Sequence, residues 1–303
     1  MMEIKPFFDE RTWTMTYVVH DPETSDAIVV DPVLDYDPNA SRTWTESVDE
    51  VVRFIREQQL TLRMVLETHA HADHISGAQM LRDAFPGAVV AIGERITDVQ
   101  KMFKSIFNLP AGFATDGSQF DRLLKAGEEV QVGSLSFTVL PTPGHTPACV
   151  SYLFGDAVFT GDALFMPDVG TGRCDFPGGS ADDLYHSVTE VIYGLPDQTR
   201  VLVGHDYPDN REVAWEATVA EHRAGNVALP ASRSREDFVA WRNRRDASLA
   251  APRLLFQSVQ VNIDAGQLPD PSDNEIRYLR IPLNVFRPKA DREATTTLEE
   301  VSK

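Results

Sequence analysis

The sequence predicts an α/β fold in which mixed β-sheets and helices pack as a sandwich. Short apolar runs bounded by turn residues indicate strands, and longer segments with apolar residues at helical spacing indicate helices. The two kinds of segment alternate along the chain, and a tight turn at Gly155 and Asp156 joins two consecutive strands. Hairpins mixed with strand–helix units favour mixed sheets over a simple doubly wound parallel sheet.

Strands and helices follow one another in the first half of the chain. The segment 13–20 is rich in Thr, Tyr and Val and predicts a strand, and a turn at 21–26 separates it from the next one. Apolar residues recur at helical spacing after Ser47, which we expect to cap that helix. The predicted strands are 13–20, 27–30, 63–67 and 88–92, and the predicted helices are 47–59 and 75–85.

The second half of the chain continues this alternation. We expect residues 1–287 to form a single domain, with a helical excursion near 98–124 and a C-terminal extension from about residue 208. The excursion packs on the core, covers an active site or makes a subunit contact, and the polar segment 288–303 is expected to be a flexible tail. The predicted strands are 135–140, 150–154, 157–160, 200–203 and 259–263, and the predicted helices are 181–193, 211–224 and 235–247.

The composition excludes several classes of partner. The chain has 28 Lys and Arg against 46 Asp and Glu, a net charge of −18, which disfavours nucleic acid and anionic membrane surfaces. The N-terminus lacks the apolar region of a signal peptide, and no segment reaches the roughly 18 apolar residues of a membrane span. Cys149 and Cys174 cannot form a disulfide framework. We therefore expect a cytoplasmic protein, and whether it is a homo-oligomer stays open.

A cluster of histidines follows the predicted strand 63–67. His69 and His71 are two residues apart, so an extended backbone would put both side chains on one face. Asp73 and His74 come next, at the expected start of a helix. Crowded imidazoles are costly when protonated, and a divalent metal holds them neutral. The cluster therefore predicts a metal site.

Ligands from elsewhere in the chain are expected to complete this site. Three further segments each end an apolar strand with a Gly that is followed by a potential ligand, at the edge where α/β proteins group their active-site residues. The set contains no thiolate, which suits zinc, iron or manganese and disfavours a closed structural zinc site. Strand alternation points Cys149 into the core rather than to the metal. The three ligands are His145 in 137–146, Asp162 in 157–162 and His205 in 201–207.

Together, these residues resemble the metallo-β-lactamase superfamily. The resemblance implies an αββα sandwich of two mixed β-sheets flanked by helices, with the metal at the edge between the sheets. It also implies that His69, His71 and His145 form one metal site, that Asp73, His74 and His205 form a second, and that Asp162 is able to bridge them. The matching motifs, in the family's order over residues 13–207, are His69-x-His71-x-Asp73-His74, Pro143-Gly144-His145-Thr146, Gly161-Asp162 and Gly204-His205.

Within the superfamily the chain looks most like the persulfide dioxygenases and the glyoxalase II group. Both have a Gly-x-Gly-Arg-like turn similar to residues 170–173. The continuation Asp175-Phe176 looks like the dioxygenases, although Cys174 stands where they have Thr. Glyoxalase II typically has His-Glu-Tyr where this chain has the segment 205–207, His-Asp-Tyr.

The resemblance to persulfide dioxygenases implies one mononuclear non-haem Fe(II) per chain, held by His69, His145 and Asp162. Two histidines and one carboxylate leave open coordination positions for a substrate sulfur and O₂. The substrate would be glutathione persulfide or a similar low-molecular-weight persulfide, giving sulfite and a thiol. The remaining candidates, which would orient these ligands or a water by hydrogen bonds or hold a second metal, are His71, Asp73, His74 and His205.

Two alternatives remain open. A zinc hydrolase of the glyoxalase II (hydroxyacylglutathione hydrolase) or lactonase type would hold one or two Zn(II) per chain and split a thioester or ester. Zinc cannot activate O₂, but it lowers the pKa of a bound water that then attacks an acyl carbon. A non-catalytic or redox-partner module on the same fold is the third interpretation, and the complete ligand set argues against it.

Two residues are candidates for binding the substrate. A glutathione-type thiol carries two carboxylates. Arg173, beside the Gly-x-Gly turn, can bind one carboxylate through two hydrogen bonds. Tyr207 follows His205 closely and is expected to hydrogen-bond the substrate near the metal. The alternative for Arg173 is an ion pair with Asp175, and the alternative for Tyr207 is simple packing.

Overall fold

Two six-stranded sheets form the centre of the molecule in the computed structural model, which describes residues 2–285. A small three-stranded sheet lies beside them. In chain order the strands are β1 (Glu3–Asp9), β2 (Thr14–His20), β3 (Asp26–Val30), β4 (Val33–Asp37), β5 (Arg42–Trp44), β6 (Thr61–Glu67), β7 (Ile75–Ser76), β8 (Val89–Gly93), β9 (Arg122–Leu124), β10 (Glu129–Val132), β11 (Leu135–Pro141), β12 (Val150–Phe154), β13 (Ala157–Phe159), β14 (Arg200–Leu202) and β15 (Glu216–Thr218). The sheet orders are β1-β2-β3-β6-β8-β9, β10-β11-β12-β13-β14-β15 and β5-β4-β7.

The first two sheets pack face to face over a shared apolar layer. Strands β2, β3 and β6 contribute residues to this layer from one side, and β11, β12 and β13 contribute from the other. Two buried tyrosines also link the sheets by hydrogen bonds. The Tyr17 hydroxyl donates to the Val203 carbonyl at 2.7 Å, and the Tyr152 hydroxyl donates to the Glu67 carbonyl at 2.7 Å. These bonds fix the spacing of the sheets directly below the loops that follow β6 and β14.

Helices cover the outer face of each sheet. Helix α1 buries Val48, Val51, Val52 and Ile55, the apolar stripe that its sequence predicts. The core behind the first sheet includes residues of α1, α2, α3 and α7, and the core behind the second sheet includes residues of α4, α5 and α6. The αββα sandwich of mixed sheets is therefore confirmed. The helices are α1 (Glu46–Glu57), α2 (Ala78–Ala84), α3 (Ile96–Ile106), α4 (Ala181–His186), α5 (Val219–Gly225), α6 (Arg235–Asp246) and α7 (Leu255–Asn262).

Most of the predicted elements are confirmed, with shifted ends. The predicted helix 75–85 starts later, because Ile75–Ser76 pairs with β4 as β7 before α2 begins. The expected cap of α1 is wrong: the N-cap position is Thr45, and the Ser47 hydroxyl donates to the Asp35 carboxylate at 2.8 Å. Helix α4 continues into the π-helical turn Ser187–Ile192, so the predicted helix 181–193 is present with altered geometry.

Two predicted elements are wrong in type. Residues 211–224 do not form one helix: Glu216–Thr218 is the edge strand β15, and Thr218 then caps α5 in a capping box with Glu221. The predicted strand 259–263 is instead the second half of α7. Helix α7 buries Val259, Gln260 and Val261 in succession, so more than one of its faces is buried. The alternation of apolar residues there therefore does not distinguish a strand from a helix.

The excursion near 98–124 packs into the core behind the first sheet. Phe103, Phe107 and Phe120 are buried there, and no residue of 98–124 lines the cavity described below. The predicted tail at 288–303 lies outside the described residues. Within residues 2–285, none of the helices is both long enough and apolar enough to cross a membrane.

A buried histidine on α5 makes the stability of the fold depend on pH. Burial lowers the pKa of His222 from 6.5 to about 4. The unfolded chain therefore takes up this proton at a higher pH than the folded chain. Stability should fall by up to about 1.4 kcal/mol per pH unit as pH drops from 6.5 towards 4. His222→Gln should flatten this part of the pH profile in urea-denaturation measurements.

The exposed His186 on α4 is the matched control. His186→Gln removes an exposed histidine from the surface, and it should change the pH dependence of the unfolding free energy less than His222→Gln does. The slope of the unfolding free energy against pH could fall equally in both variants, or stay unchanged in His222→Gln. Either result would contradict the role of His222 in the pH dependence.

Candidate metal centre

The predicted ligands lie on loops at one edge of the two central sheets. The loop after β6 carries His69, His71, Asp73 and His74, and the other ligands follow β11, β13 and β14. Strand β6 is parallel to β3 and β8, and β13 is parallel to β14, so the carboxyl ends of these strands meet at a common edge. Asp73 and His74 were expected at the start of a helix, but they precede β7 and α2 begins only at Ala78.

Two glycines bring the loops after β13 and β14 into backbone contact. Gly161 has φ +47°, a conformation that favours glycine. The Gly204 amide donates to the Gly161 carbonyl at 3.2 Å, and a Cβ on Gly204 would lie 3.0 Å from the Gly161 backbone. Because the two loops touch here, the side chains that follow them meet. Nε2 of His205 lies 3.2 Å from Oδ1 of Asp162.

His145 is held by the loop after β11 and by the segment 170–174. Gly144 has φ +143°, and a Cβ there would lie 2.5 Å from the Leu184 backbone, so only glycine fits against α4. Nδ1 of His145 donates to the Arg173 carbonyl at 2.7 Å. This bond fixes the tautomer and leaves Nε2 as the ligand atom, 3.5 Å from Oδ2 of Asp162.

In each of the other four candidate ligand histidines, one ring nitrogen likewise lies within hydrogen-bond distance of a protein group. Nε2 of His71 donates to the Asp31 carboxylate at 3.0 Å, and Nδ1 of His205 donates to the Trp13 carbonyl at 3.2 Å. Nδ1 of His69 lies 3.0 Å from the Thr68 hydroxyl, and Nδ1 of His74 lies 3.4 Å from the Thr14 hydroxyl. Three of the remaining nitrogens have no hydrogen-bond partner among residues 2–285: His69 Nε2, His71 Nδ1 and His74 Nε2.

These free atoms form two groups with the spacing of metal ligands. Ligand atoms of His69, His145 and Asp162 all lie within 4.8 Å of one another, and so do those of His71, Asp73 and His74. His205 joins the groups, because its Nε2 is 3.2 Å from Oδ2 of Asp73 and 3.2 Å from Oδ1 of Asp162. All seven predicted ligand residues therefore meet in one region. Buried nitrogens without partners are costly, and a divalent cation would satisfy them.

The charges of the site are consistent with a bound cation. Burial lowers the pKa of His69 well below its ordinary value. Burial alone would raise the pKa of Asp162, but His205 and His145 outweigh it and hold that pKa well below its ordinary range. Burial also acts to lower the pKa of His205, but Asp73 and Asp162 raise it to about 9. The carboxylates thus stay ionised in a buried region, where positive charge stabilises them.

Three residues that support the site were not predicted. Asp31 accepts from the Thr68 amide at 2.7 Å as well as from His71, and Glu67 lies 3.3 Å from His71 Nε2. Asn262 on α7 donates to the carbonyls of His71 and His74, at 2.8 Å each. The available signal for Asp31 and Glu67 was an acidic residue that ends an apolar strand. No local signal marks Asn262.

A cavity of about 460 Å³ opens over the ligands and contains both predicted substrate-binding residues. Arg173 is already paired, because Nε and Nη2 donate to the Asp175 carboxylate at 2.5 and 2.6 Å and Nη1 donates to the Ala250 carbonyl at 2.8 Å. Tyr207 is 44% exposed, and its ring stacks on His205 at 5.9 Å between centroids. The ion-pair alternative for Arg173 is thus present, while Tyr207 is accessible from the cavity.

Cys149 lies outside both ligand groups. It is buried, and its Sγ accepts from the Thr146 amide at 3.3 Å. Burial raises the pKa of its thiol to about 12. A buried, protonated thiol is a poor metal ligand.

Comparison with known proteins identifies the family. The family model described as the metallo-beta-lactamase superfamily matches residues 14–205. The chain belongs to the metallo-beta-lactamase superfamily. It is 46% identical over 288 residues to Glyoxylase B2 of Dictyostelium discoideum, which covers 94% of this chain and 98% of that protein. It is 31% identical over 271 residues to the mitochondrial persulfide dioxygenase ETHE1 of Bos taurus, covering 89% of this chain and 91% of that protein.

A solved structure supports the same assignment. The crystal structure of ETHE1 from Myxococcus xanthus has a TM-score of 0.70 and 36% sequence identity, and the match covers 88% of this chain and 100% of that chain. Superfamily membership and the two groups of ligand residues together imply a metal-dependent enzyme.

Removing the anchor of His71 should weaken metal binding. Asp31 has φ +49°, a conformation that Asn tolerates as well as Asp does, so Asp31→Asn changes charge without adding backbone strain. Loss of the carboxylate that orients His71 should lower metal affinity by about tenfold, measured by competition with a chelator.

Asp26→Asn is the matched control, because Asp26 begins strand β3 and Asp31 directly follows the end of that strand. Asp26 is also buried and accepts from the Ser134 amide at 2.8 Å, but its ion pair is with Arg63 and it contacts no histidine. Equal metal affinities in the two variants would contradict a role for Asp31 in the site.

Proposed function

We propose that the chain is a persulfide dioxygenase that uses one Fe(II) held by His69, His145 and Asp162. The single observation that carries this proposal is the group of two histidines and one carboxylate with ligand atoms within 4.8 Å, open to a cavity. Fe(II) bound there would supply open coordination positions and the electrons that O₂ chemistry requires. Similarity to persulfide dioxygenase ETHE1, at 31% identity, supports the same reaction.

The proposed net reaction is R–S–SH + O₂ + H₂O → R–SH + H₂SO₃. The sulfane sulfur is oxidised by four electrons and O₂ is reduced by four, so no further reductant is needed. The persulfide loses its outer sulfur atom as sulfite, and the remaining thiol R–SH is released. Glutathione persulfide, or a similar low-molecular-weight persulfide, is the proposed substrate. The cytoplasmic location expected from the composition remains part of this proposal.

The protein's own groups position the ligands for this chemistry. The Arg173 carbonyl holds His145 in the tautomer that presents Nε2. His205 lies 3.2 Å from both Asp73 and Asp162, so it fixes the orientation of the Asp162 carboxylate. Asn262 donates to the backbone carbonyls of His71 and His74, which anchors their loop to α7. These contacts pre-organise the site before substrate arrives.

A zinc hydrolase is the second candidate, and one observation favours it. His71, Asp73 and His74 form a second ligand group beside the first, as a pair of zinc ions would require. The 46% identity to a protein named Glyoxylase B2 points the same way. A hydrolase of this type would attack a thioester or ester with a zinc-bound water.

The cavity favours an anionic substrate for either reaction. Arg245 and Arg253 line it, and neither guanidinium has an ion-pair partner among residues 2–285. They place positive charge at a cavity whose lining also includes the candidate ligands His145 and Asp162. They are suited to the carboxylates of a thiol such as glutathione, while Arg173 is occupied by Asp175.

Metal identity and oxygen uptake distinguish the two reactions. Protein purified without oxygen should contain about one iron per chain, and it should consume one O₂ for each sulfite formed from glutathione persulfide. Asp162→Ala should abolish both iron binding and oxygen uptake. About two zinc per chain, with thioester hydrolysis and no oxygen uptake, would overturn the dioxygenase and establish the hydrolase.

Neutralising the cavity arginines should weaken substrate binding without slowing the chemistry. Arg245→Gln and Arg253→Gln should each raise KM for glutathione persulfide by about fivefold, with kcat unchanged. Arg244→Gln is the matched control, because Arg244 is on α6 next to Arg245 but does not line the cavity. An uncharged alkyl persulfide should show no such increase. Equal KM values in all three variants would exclude the two arginines from substrate binding.

A further inference from the structure

One peptide group links the predicted ligand His145 to helix α6. The carbonyl of this peptide belongs to Arg173 and accepts from His145 Nδ1 at 2.7 Å. The amide of the same peptide belongs to Cys174 and donates to Oδ2 of Asp246 at 2.8 Å. The histidine and the carboxylate therefore bind opposite sides of a single planar group.

The carboxylate of Asp246 is held firmly for this contact. Asp246 is 5% exposed and Arg242, one turn earlier on α6, is 3% exposed. Nε and Nη2 of Arg242 both donate to Oδ1 of Asp246, the former at 2.8 Å, which leaves Oδ2 for the Cys174 amide. A buried ion pair is often no more stabilising than an apolar pair of the same size. Stability alone therefore does not explain why a carboxylate stands here.

Hydrogen bonds on the two sides of a peptide strengthen each other. A carboxylate that accepts from the amide pushes electron density towards the carbonyl oxygen, which becomes a better acceptor. Here that oxygen binds the Nδ1 proton of His145, so Nε2 gains basicity as a ligand. His71 has a direct version of this arrangement, because its Nε2 meets the Asp31 carboxylate at 3.0 Å. No carboxylate binds Nδ1 of His145 directly. The Arg173–Cys174 peptide lies between Nδ1 and the Asp246 carboxylate.

We propose that Asp246 is a positioning residue that orients His145 and strengthens it as a metal ligand through the Arg173–Cys174 peptide. The proposal rests on the metal role of His145, which the dioxygenase and the hydrolase share, and it does not depend on which reaction is correct. Asp246 thereby links helix α6 to the metal centre.

The experiment uses the intact protein loaded with Co(II), which makes ligand histidine N–H protons visible by hyperfine-shifted NMR. Asp246→Asn removes the charge but keeps an acceptor for the Cys174 amide. It should lower Co(II) affinity by about tenfold, shift the His145 Nδ1 proton and speed its exchange with water. The Nδ1 proton of His69 is the internal reference, because His69 is a ligand in both candidate reactions and its Nδ1 lies 3.0 Å from the Thr68 hydroxyl, which is not linked to Asp246.

Two further variants separate positioning from folding. Asp246→Asn leaves Arg242 buried without its counter-charge and could unfold the protein, so the double variant Arg242→Gln with Asp246→Asn removes both charges together. It should show the same shift of the His145 proton. Asp182→Asn is the control, because it breaks the ion pair of Asp182 with Arg235 that joins α4 to α6.

The outcomes are distinguishable. A shift confined to the His145 proton, with lower Co(II) affinity in both Asp246 variants and not in Asp182→Asn, supports the proposal. An unchanged His145 proton in the folded double variant overturns it, and so does an equal shift of all ligand histidine protons, which would indicate a general distortion. A lack of persulfide oxidation would overturn the proposed dioxygenase and leave these Co(II) measurements unaffected.

Discussion

Five imidazoles can serve one metal centre only if each presents a bare nitrogen, and this requirement governs the architecture around the site. An imidazole has two nitrogens, and the fold must bind one of them to keep the other free and correctly aimed. The partners are a carboxylate for His71 and backbone carbonyls for His145 and His205. Without such partners the rings would rotate, or would take up protons and repel one another.

The core of the sandwich sets the precision of these contacts. The hydroxyls of Tyr17 and Tyr152 reach across the interior and bind carbonyls on the opposite sheet, at the bases of the ligand loops. The backbone contact between Gly161 and Gly204 then determines how closely two of those loops approach. A change in sheet spacing would shift these loops, and the ligands they carry, relative to one another. The site is therefore sensitive to core packing well below the metal.

Sequence motifs revealed the ligands because each ligand sits in a local pattern, either the histidine cluster that follows β6 or a strand followed by Gly and a polar side chain. The residues that hold the ligands have no such pattern. Asn262 is 191 residues from His71, whose carbonyl it binds, and Asp246 is 72 residues from Cys174. Their roles arise from where α7 and α6 pack, which a single sequence does not disclose. The same limit explains the mistaken strand at 259–263, where burial on both faces hides the helical period.

The family match covers residues 14–205 and not the segment after them. Family membership therefore predicts the metal centre more readily than the substrate. The family model ends at residue 205, and all seven candidate ligands lie within it. The unpaired cavity arginines, Arg245 and Arg253, lie after it, and so does Asp246. A shared core can thus supply the same ligand geometry to a dioxygenase or a hydrolase, while the two arginines that we propose to bind the substrate lie in the segment that follows. The choice between the two reactions then depends on which metal occupies the site, because zinc cannot transfer electrons to O₂ and iron can.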